Sequence, residues 1–160
     1  MKKYTLVAAG LFGLFSVTAA QAAQVVNVTA SGYDADKGHT PANIADGNVK
    51  TRWAVNGDGW VQLELDKAQS IENIVLVPFK AEERRLKFSL SWSADGKSWT
   101  RIADNLVTSS NASGGEKFTF PAVNARFIKL DTFGTDVNKW SAISEISFNS
   151  AAQLPTQAVK

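Results

Sequence analysis

The chain has no cysteine among its 160 residues, which excludes disulfides, zinc thiolate sites, thiol nucleophiles and redox switching. It has one histidine, His39, one methionine and two tyrosines, so the side chains that usually move protons are scarce. A charge excess is missing too. Seventeen Lys and Arg stand against fifteen Asp and Glu, and Lys2 and Lys3 fall in a segment that reads as removable. Without those two, the remaining basic and acidic residues balance, whereas nucleic-acid binding ordinarily leaves a large basic excess. Long apolar runs are also absent beyond the N-terminus.

The N-terminal exception has a definite pattern. Two lysines precede an apolar run from Leu6 to Val17, and Ala20-Gln21-Ala22 follows as a small-x-small cleavage pattern. This reads as a bacterial secretory signal peptide over residues 1–22. The run is shorter than the ~20 residues a membrane span needs, and no cysteine follows it to carry a lipid anchor. The expectation is an exported protein, periplasmic or secreted, with one domain over residues 23–150 and a flexible tail over 151–160. Export brings the chain into calcium concentrations that suit weak oxygen-ligand sites.

Within the domain the period is two. Val25 to Ala30 reads as a strand, and Trp60 to Leu65 alternates apolar with polar. Ile71 to Val77 is dense enough for a strand buried on both faces. Phe88, Leu90 and Trp92 alternate with Ser89, Ser91 and Ser93, which places the serines on the opposite face. Further strands are expected at Arg101 to Ala103, Lys117 to Phe120, Phe127 to Asp131 and Ile143 to Phe148, with Asp95-Gly96 as a tight hairpin turn. No segment sustains a helical period. About eight short strands between Asn, Asp and Gly turns predict an all-β sandwich or jelly roll. Ser109 to Gly115 and the tail lack apolar anchors and are expected to be mobile.

Two clusters carry candidate chemistry. Asp46, Asn48 and Thr51 crowd around Gly47, a spacing that can turn oxygens inward on a hard cation. Taken alone, such a run is more often an ordinary turn. The stretch from Phe79 to Phe88 holds four cations, Lys80, Arg84, Arg85 and Lys87, with Glu82 and Glu83. Its bland alternative is a solvated loop whose charges pair at ~1 kcal/mol or less.

The run from Asn43 to Trp53, together with Ser93 to Trp99 and the closing Ile143-Ser144-Glu145-Ile146, resembles a discoidin-type (F5/8 type C) domain. More narrowly, the chain is similar to carbohydrate-binding module family 32 domains attached to bacterial alginate lyases. Lys80, Arg84 and Phe88 fall at the spacing of that group's basic loop, with Phe79 in place of Tyr and Ala81-Glu82 in place of Gly-Asp. Thr29 to Gly32, Thr51 to Trp53, Asn56 to Gly59 and Asn138 to Trp140 match the same group. The resemblance implies a discoidin-like, galactose-binding-like jelly roll. It also implies one structural calcium, with side-chain ligands from Asp46, Thr51 and Glu145 and carbonyls from Asn43, Asn48, Thr51 and either Ala142 or Ser144.

The resemblance implies a non-catalytic protein that binds an acidic polysaccharide or oligouronate of alginate type at one end of the sandwich. A uronate offers a planar carboxylate and a ring with an apolar face, so its receptor needs Arg and Lys charges beside an aromatic platform. Lys80, Arg84, Arg85 and Arg52 are the candidate charges, and Tyr33 and Trp140 the candidate platforms. His39 and Asn138 are candidate hydrogen-bonding partners. Association with a separate polysaccharide-degrading enzyme and action as a free lectin are both left open. The alternatives are a small jelly-roll lyase or hydrolase, for which the acid–base inventory is thin, and an adhesion module for neutral galactosides, protein or lipid. Lipid insertion is not expected, since the loops are charged and only Phe133 offers an apolar tip.

Overall fold

The structure, a computed structural model, describes residues 23–160; the signal-peptide segment lies outside the described residues. The described residues form eight strands: β1 Val25–Ala30, β2 Trp53–Asn56, β3 Gly59–Pro78, β4 Leu86–Ser93, β5 Thr100–Val107, β6 Glu116–Thr135, β7 Trp140–Phe148 and β8 Thr156–Ala158. Among the described residues the only helical turns are three short 3-10 segments, at Ala35–Lys37, Pro41–Ala45 and Ala112–Gly114.

Two twenty-residue strands, β3 and β6, organise everything else. They pair antiparallel over most of their length, from Gly59 opposite Thr132 to Leu76 opposite Glu116. Their register breaks between Glu64 and Gln69, where Asp66, Lys67 and Ala68 are exposed. A second shift falls between Ile71 and Asn73, opposite Val123 and Thr119 of β6, and Pro121 lies between those two partners, a position suited to a residue that cannot donate to a central ladder. The paired ribbon thus contributes to both layers of a sandwich. Its first layer runs β1-β3-β6-β4-β5, and its second runs β2-β7-β3-β6-β8.

The alternation in the sequence supplies the core between the layers. Val61, Leu63 and Leu65 of β3 meet Phe88, Leu90, Ile128 and Leu130, and all are fully buried. The rings of Phe88 and Phe118 meet edge to face, with centroids 5.1 Å apart. Trp53 is also fully buried, and its indole N–H donates to the Gly32 carbonyl at 2.9 Å. That bond fixes the first long loop to β2.

Three expectations need correcting, and a fourth gains a detail. Ser89, Ser91 and Ser93, expected on the face opposite Phe88, Leu90 and Trp92, are themselves buried, at 3%, 4% and 1% exposure. Asp131, Lys129 and Phe127 stand directly opposite them on β6, and these longer side chains shadow the serines. The Asp95-Gly96 turn belongs to a wider loop between β4 and β5, in which the Asp95 carboxylate accepts from the N–H groups of Lys97 and Ser98. The segment from Ser109 to Gly115 is packed: Ala112 is fully buried, and Val75 and Val77 of β3 lie against Gly115. The C-terminal tail contributes a strand, since Thr156–Ala158 pairs parallel with Lys117–Thr119. Its Gln157 amide donates to the buried Glu116 carboxylate at 2.7 Å and to the Val107 carbonyl at 2.9 Å. Glu116 in turn accepts the Ser109 N–H at 2.8 Å. A buried carboxylate needs such donors, and they tie the polar loop and the tail together.

Candidate saccharide cleft and cation site

At one end of the second layer, three loops converge on a cleft of about 190 Å³. The first loop is closed by a bridge between Asp34 and His39 and anchored to β2: the Asp34 N–H donates to the Ala54 carbonyl at 2.9 Å, and the Ala54 N–H to the His39 carbonyl at 3.3 Å. Arg52 enters at the foot of β2. Phe79 arrives from the end of β3, held by its N–H to the Ala142 carbonyl at 3.1 Å. Arg84 follows from a turn in which the Glu83 and Arg84 N–H groups both donate to the Lys80 carbonyl. Trp140 opens β7. Its approach is set by a turn in which Gly134, at φ 72°, has no room for a Cβ, which would lie 2.7 Å from the Asn138 carbonyl oxygen.

The cleft is cationic around one acid. Lys37, Arg52 and Arg84 line it with Asp34. Asp34 Oδ2 lies 3.2 Å from His39 Nδ1 and 3.9 Å from Lys37 Nζ; the imidazole approach is off the line of a hydrogen bond. The Arg52 guanidinium stacks over the Phe79 ring at 3.9 Å from its centroid, with Arg84 at 5.9 Å. Phe79 therefore orients cations, and Trp140 remains as the aromatic wall for a ligand. Arg84 Nε is buried with no hydrogen-bond partner among the described residues.

Of the eight expected ligand-binding residues, His39, Arg52, Arg84 and Trp140 line this cleft. Lys80 lines an adjoining one and is paired with Glu83 at 3.0 Å; that bond, before other causes, holds the Glu83 carboxyl below its ordinary value. Arg85 is turned away into an ion pair with Asp136, whose carboxylate also accepts the Arg85 N–H at 2.7 Å. Asn138 supports the cleft without lining it, its side-chain oxygen accepting the Trp140 N–H at 3.0 Å. Tyr33 is 48% exposed and lies outside the cleft lining. Asp34 and Lys37 escape pattern reading because only the closed loop brings them here. Phe79 is visible by its spacing, but spacing alone does not reveal that it stacks under Arg52.

The second cluster lies at the loop from Asp46 to Thr51. Asp46 accepts the Thr51 hydroxyl at 2.6 Å and the Asn48 N–H at 2.8 Å, and the Thr51 hydroxyl also lies 2.8 Å from the Asn48 carbonyl. Asn43 spends its side-chain amide on the Gly38 and Arg52 carbonyls, at 3.0 and 2.9 Å, so it clamps this loop to the cleft. Glu145 reaches the same loop from β7. Burial pushes its carboxyl up to about 7, and the Asp46 charge pushes in the same direction, against hydrogen bonds from the Gly47 and Asn48 backbone. Its Oε2 is buried without a partner. No three His, Cys, Asp or Glu residues gather among the described residues, so two carboxylates would have to be completed by hydroxyl and carbonyl oxygens. That all-oxygen donor set suits calcium and no soft metal.

The F5/8 type C domain family matches residues 27–146. A solved pectin binding carbohydrate binding module is 67% identical over 86% of this chain and 99% of its own, with a TM-score of 0.84. The CBM32 of AlyQ, solved with 4,5-unsaturated mannuronic acid, is 30% identical over 82% of this chain and 100% of its own, with a TM-score of 0.76. A Clostridium perfringens module, CpGH89CBM32-5, solved with GalNAc-beta-1,3-galactose, shares the fold at 20% identity over 78% of this chain and 94% of its own, with a TM-score of 0.65. Among curated proteins none matches. The matched residues, with the 67% and 30% identical neighbours, show that the chain belongs to the F5/8 type C domain family, among its carbohydrate-binding modules.

Proposed function

We propose that the chain is an exported, non-catalytic protein that binds an acidic polysaccharide, with the carboxylate of one uronate unit held in the cationic cleft and one calcium ion holding the loops. The buried, unpartnered Nε of Arg84 carries this reading, since an orphan guanidinium donor on a cleft wall calls for an acceptor. Arg84 supplies the directed donors, Arg52 is held in place by its stack on Phe79, and Lys37 adds a point charge. Trp140 offers its ring to the apolar face of the sugar. Asp34 accepts from a sugar hydroxyl and keeps the cleft from taking any anion indiscriminately.

Two neighbours support a polyuronate, one named for pectin and one solved with a mannuronic acid. The higher identity of the pectin binding module makes galacturonate the first choice over the alginate units expected from sequence. Calcium would be held by Asp46, Thr51 and Glu145 with neighbouring carbonyls, and it would supply the positive charge that two facing carboxylates lack. The reading is tested by titration calorimetry, in calcium, against oligogalacturonate, oligomannuronate and galactose, with the mixtures assayed for new unsaturated or reducing ends. Binding to a uronate without product is expected. Arg84→Ala should weaken that binding about tenfold or more, as loss of a charged hydrogen bond of ~1.5–3 kcal/mol implies, and leave the melting temperature nearly unchanged. Product formation, or unchanged binding by the variant, would overturn it.

A further inference from the structure

Phe79 is not the end wall of the cleft. It is shared with a second depression of about 230 Å³ on its far side, bounded by Val49, Pro78, Lys80, Ser113 and Ser144. We infer that this depression is a second sugar subsite, so that the protein reads a stretch of polysaccharide chain and not one terminal sugar. The inference rests on the saccharide reading of the first cleft.

The chemistry of the depression fits a neighbouring sugar unit. Val49 is 61% exposed, an apolar side chain left at the tip of a polar loop, and with Pro78 it offers an apolar contact for a ring face. Ser113, which is exposed, brings a hydroxyl for the polar edge. Lys80 sits at φ 56°, a left-handed conformation that is strained for a non-glycine residue and that glycine would adopt freely. Retaining a lysine there places its ammonium beside the Phe79 ring, 5.9 Å from the centroid, at the junction of the two depressions.

The two subsites differ in charge, which gives the site a direction. Three cations surround Asp34 in the first. In the second, Lys80 is committed to Glu83 by two contacts of 3.0 Å, and Glu82 also lines the wall. The first subsite takes the carboxylate, and the second takes its neighbour through ring face and hydroxyls, tolerating a unit whose carboxyl is esterified.

A nuclear magnetic resonance titration of the calcium-loaded protein with galacturonate oligomers of one to six units tests this. Short oligomers should shift the Arg52 and Trp140 resonances alone, and longer ones should shift Val49 and Ser113 as well, with at least a fivefold gain in affinity. Ser113→Trp, an exposed position, should cancel that gain, leave the shortest ligands bound as before and keep the melting temperature. Affinity independent of length, or a variant that weakens all lengths equally, would overturn the second subsite while leaving the first. Failure of every oligomer to shift Arg52 and Trp140 would overturn both.

Discussion

Glu145 places a carboxyl group where burial and a neighbouring carboxylate both resist its ionisation. Its value of about 7 lies above the ordinary 4.5, so the folded protein holds this proton more tightly than the unfolded chain. Stability from that proton is complete below 4.5 and is lost as pH rises through about 7. In chelator, the melting temperature should therefore fall between pH 5 and 7.5, and Glu145→Gln should flatten the fall and raise the melting temperature at pH 7.5. Calcium should do the same for the wild type and nothing for the variant. A wild-type melt indifferent to calcium and chelator alike would remove the ion from the proposal. At this scale spacing groups Asp46 with Thr51, and the resemblance adds Glu145, which the fold brings to the same loop. It could not separate Arg84 from Arg85, adjacent cations of which one lines the cleft and the other meets Asp136, fifty-one positions away. Only the return of a distant loop decides between them.

Strands are legible where one face is apolar and the other is not. The pattern gives β1 the bounds it has, and it shows the halves of β3 and β6 as separate strands, because their alternation breaks at the exposed bend. β8 was missed because three polar and small residues carry no period; what holds them is the Gln157–Glu116 bond and the parallel ladder on β6. Deleting Thr156 to Lys160 should accordingly cost about 1.5–3 kcal/mol for the charged hydrogen bond alone, read as a lower urea midpoint. Gln157→Ala should reproduce much of that loss, since it leaves the Glu116 oxygen buried without its donor. An unchanged midpoint in both would mean that the tail covers nothing that matters. The segment at Ala112–Gly114 should loosen with it, visible as faster amide exchange at Ser109, whose N–H donates to the same carboxylate.

In the whole molecule no layer can stand without the other, because β3 and β6 pass through both. Trp92 of β4 and Trp53 of β2 lie in different layers, so tryptophan fluorescence and far-ultraviolet circular dichroism should report one coincident unfolding transition in urea. Two separated transitions would show the layers to be independent. The same two strands fix the order of events in time. Even their nearest paired residues, Leu76 and Glu116, must meet across the intervening chain before any of the ladder forms, and closing such a loop ahead of its reward makes for slow, non-local folding. A freshly made chain of this topology stays loose for longer, which suits the export proposed for it, because a loose chain can be threaded through a narrow pore before it sets.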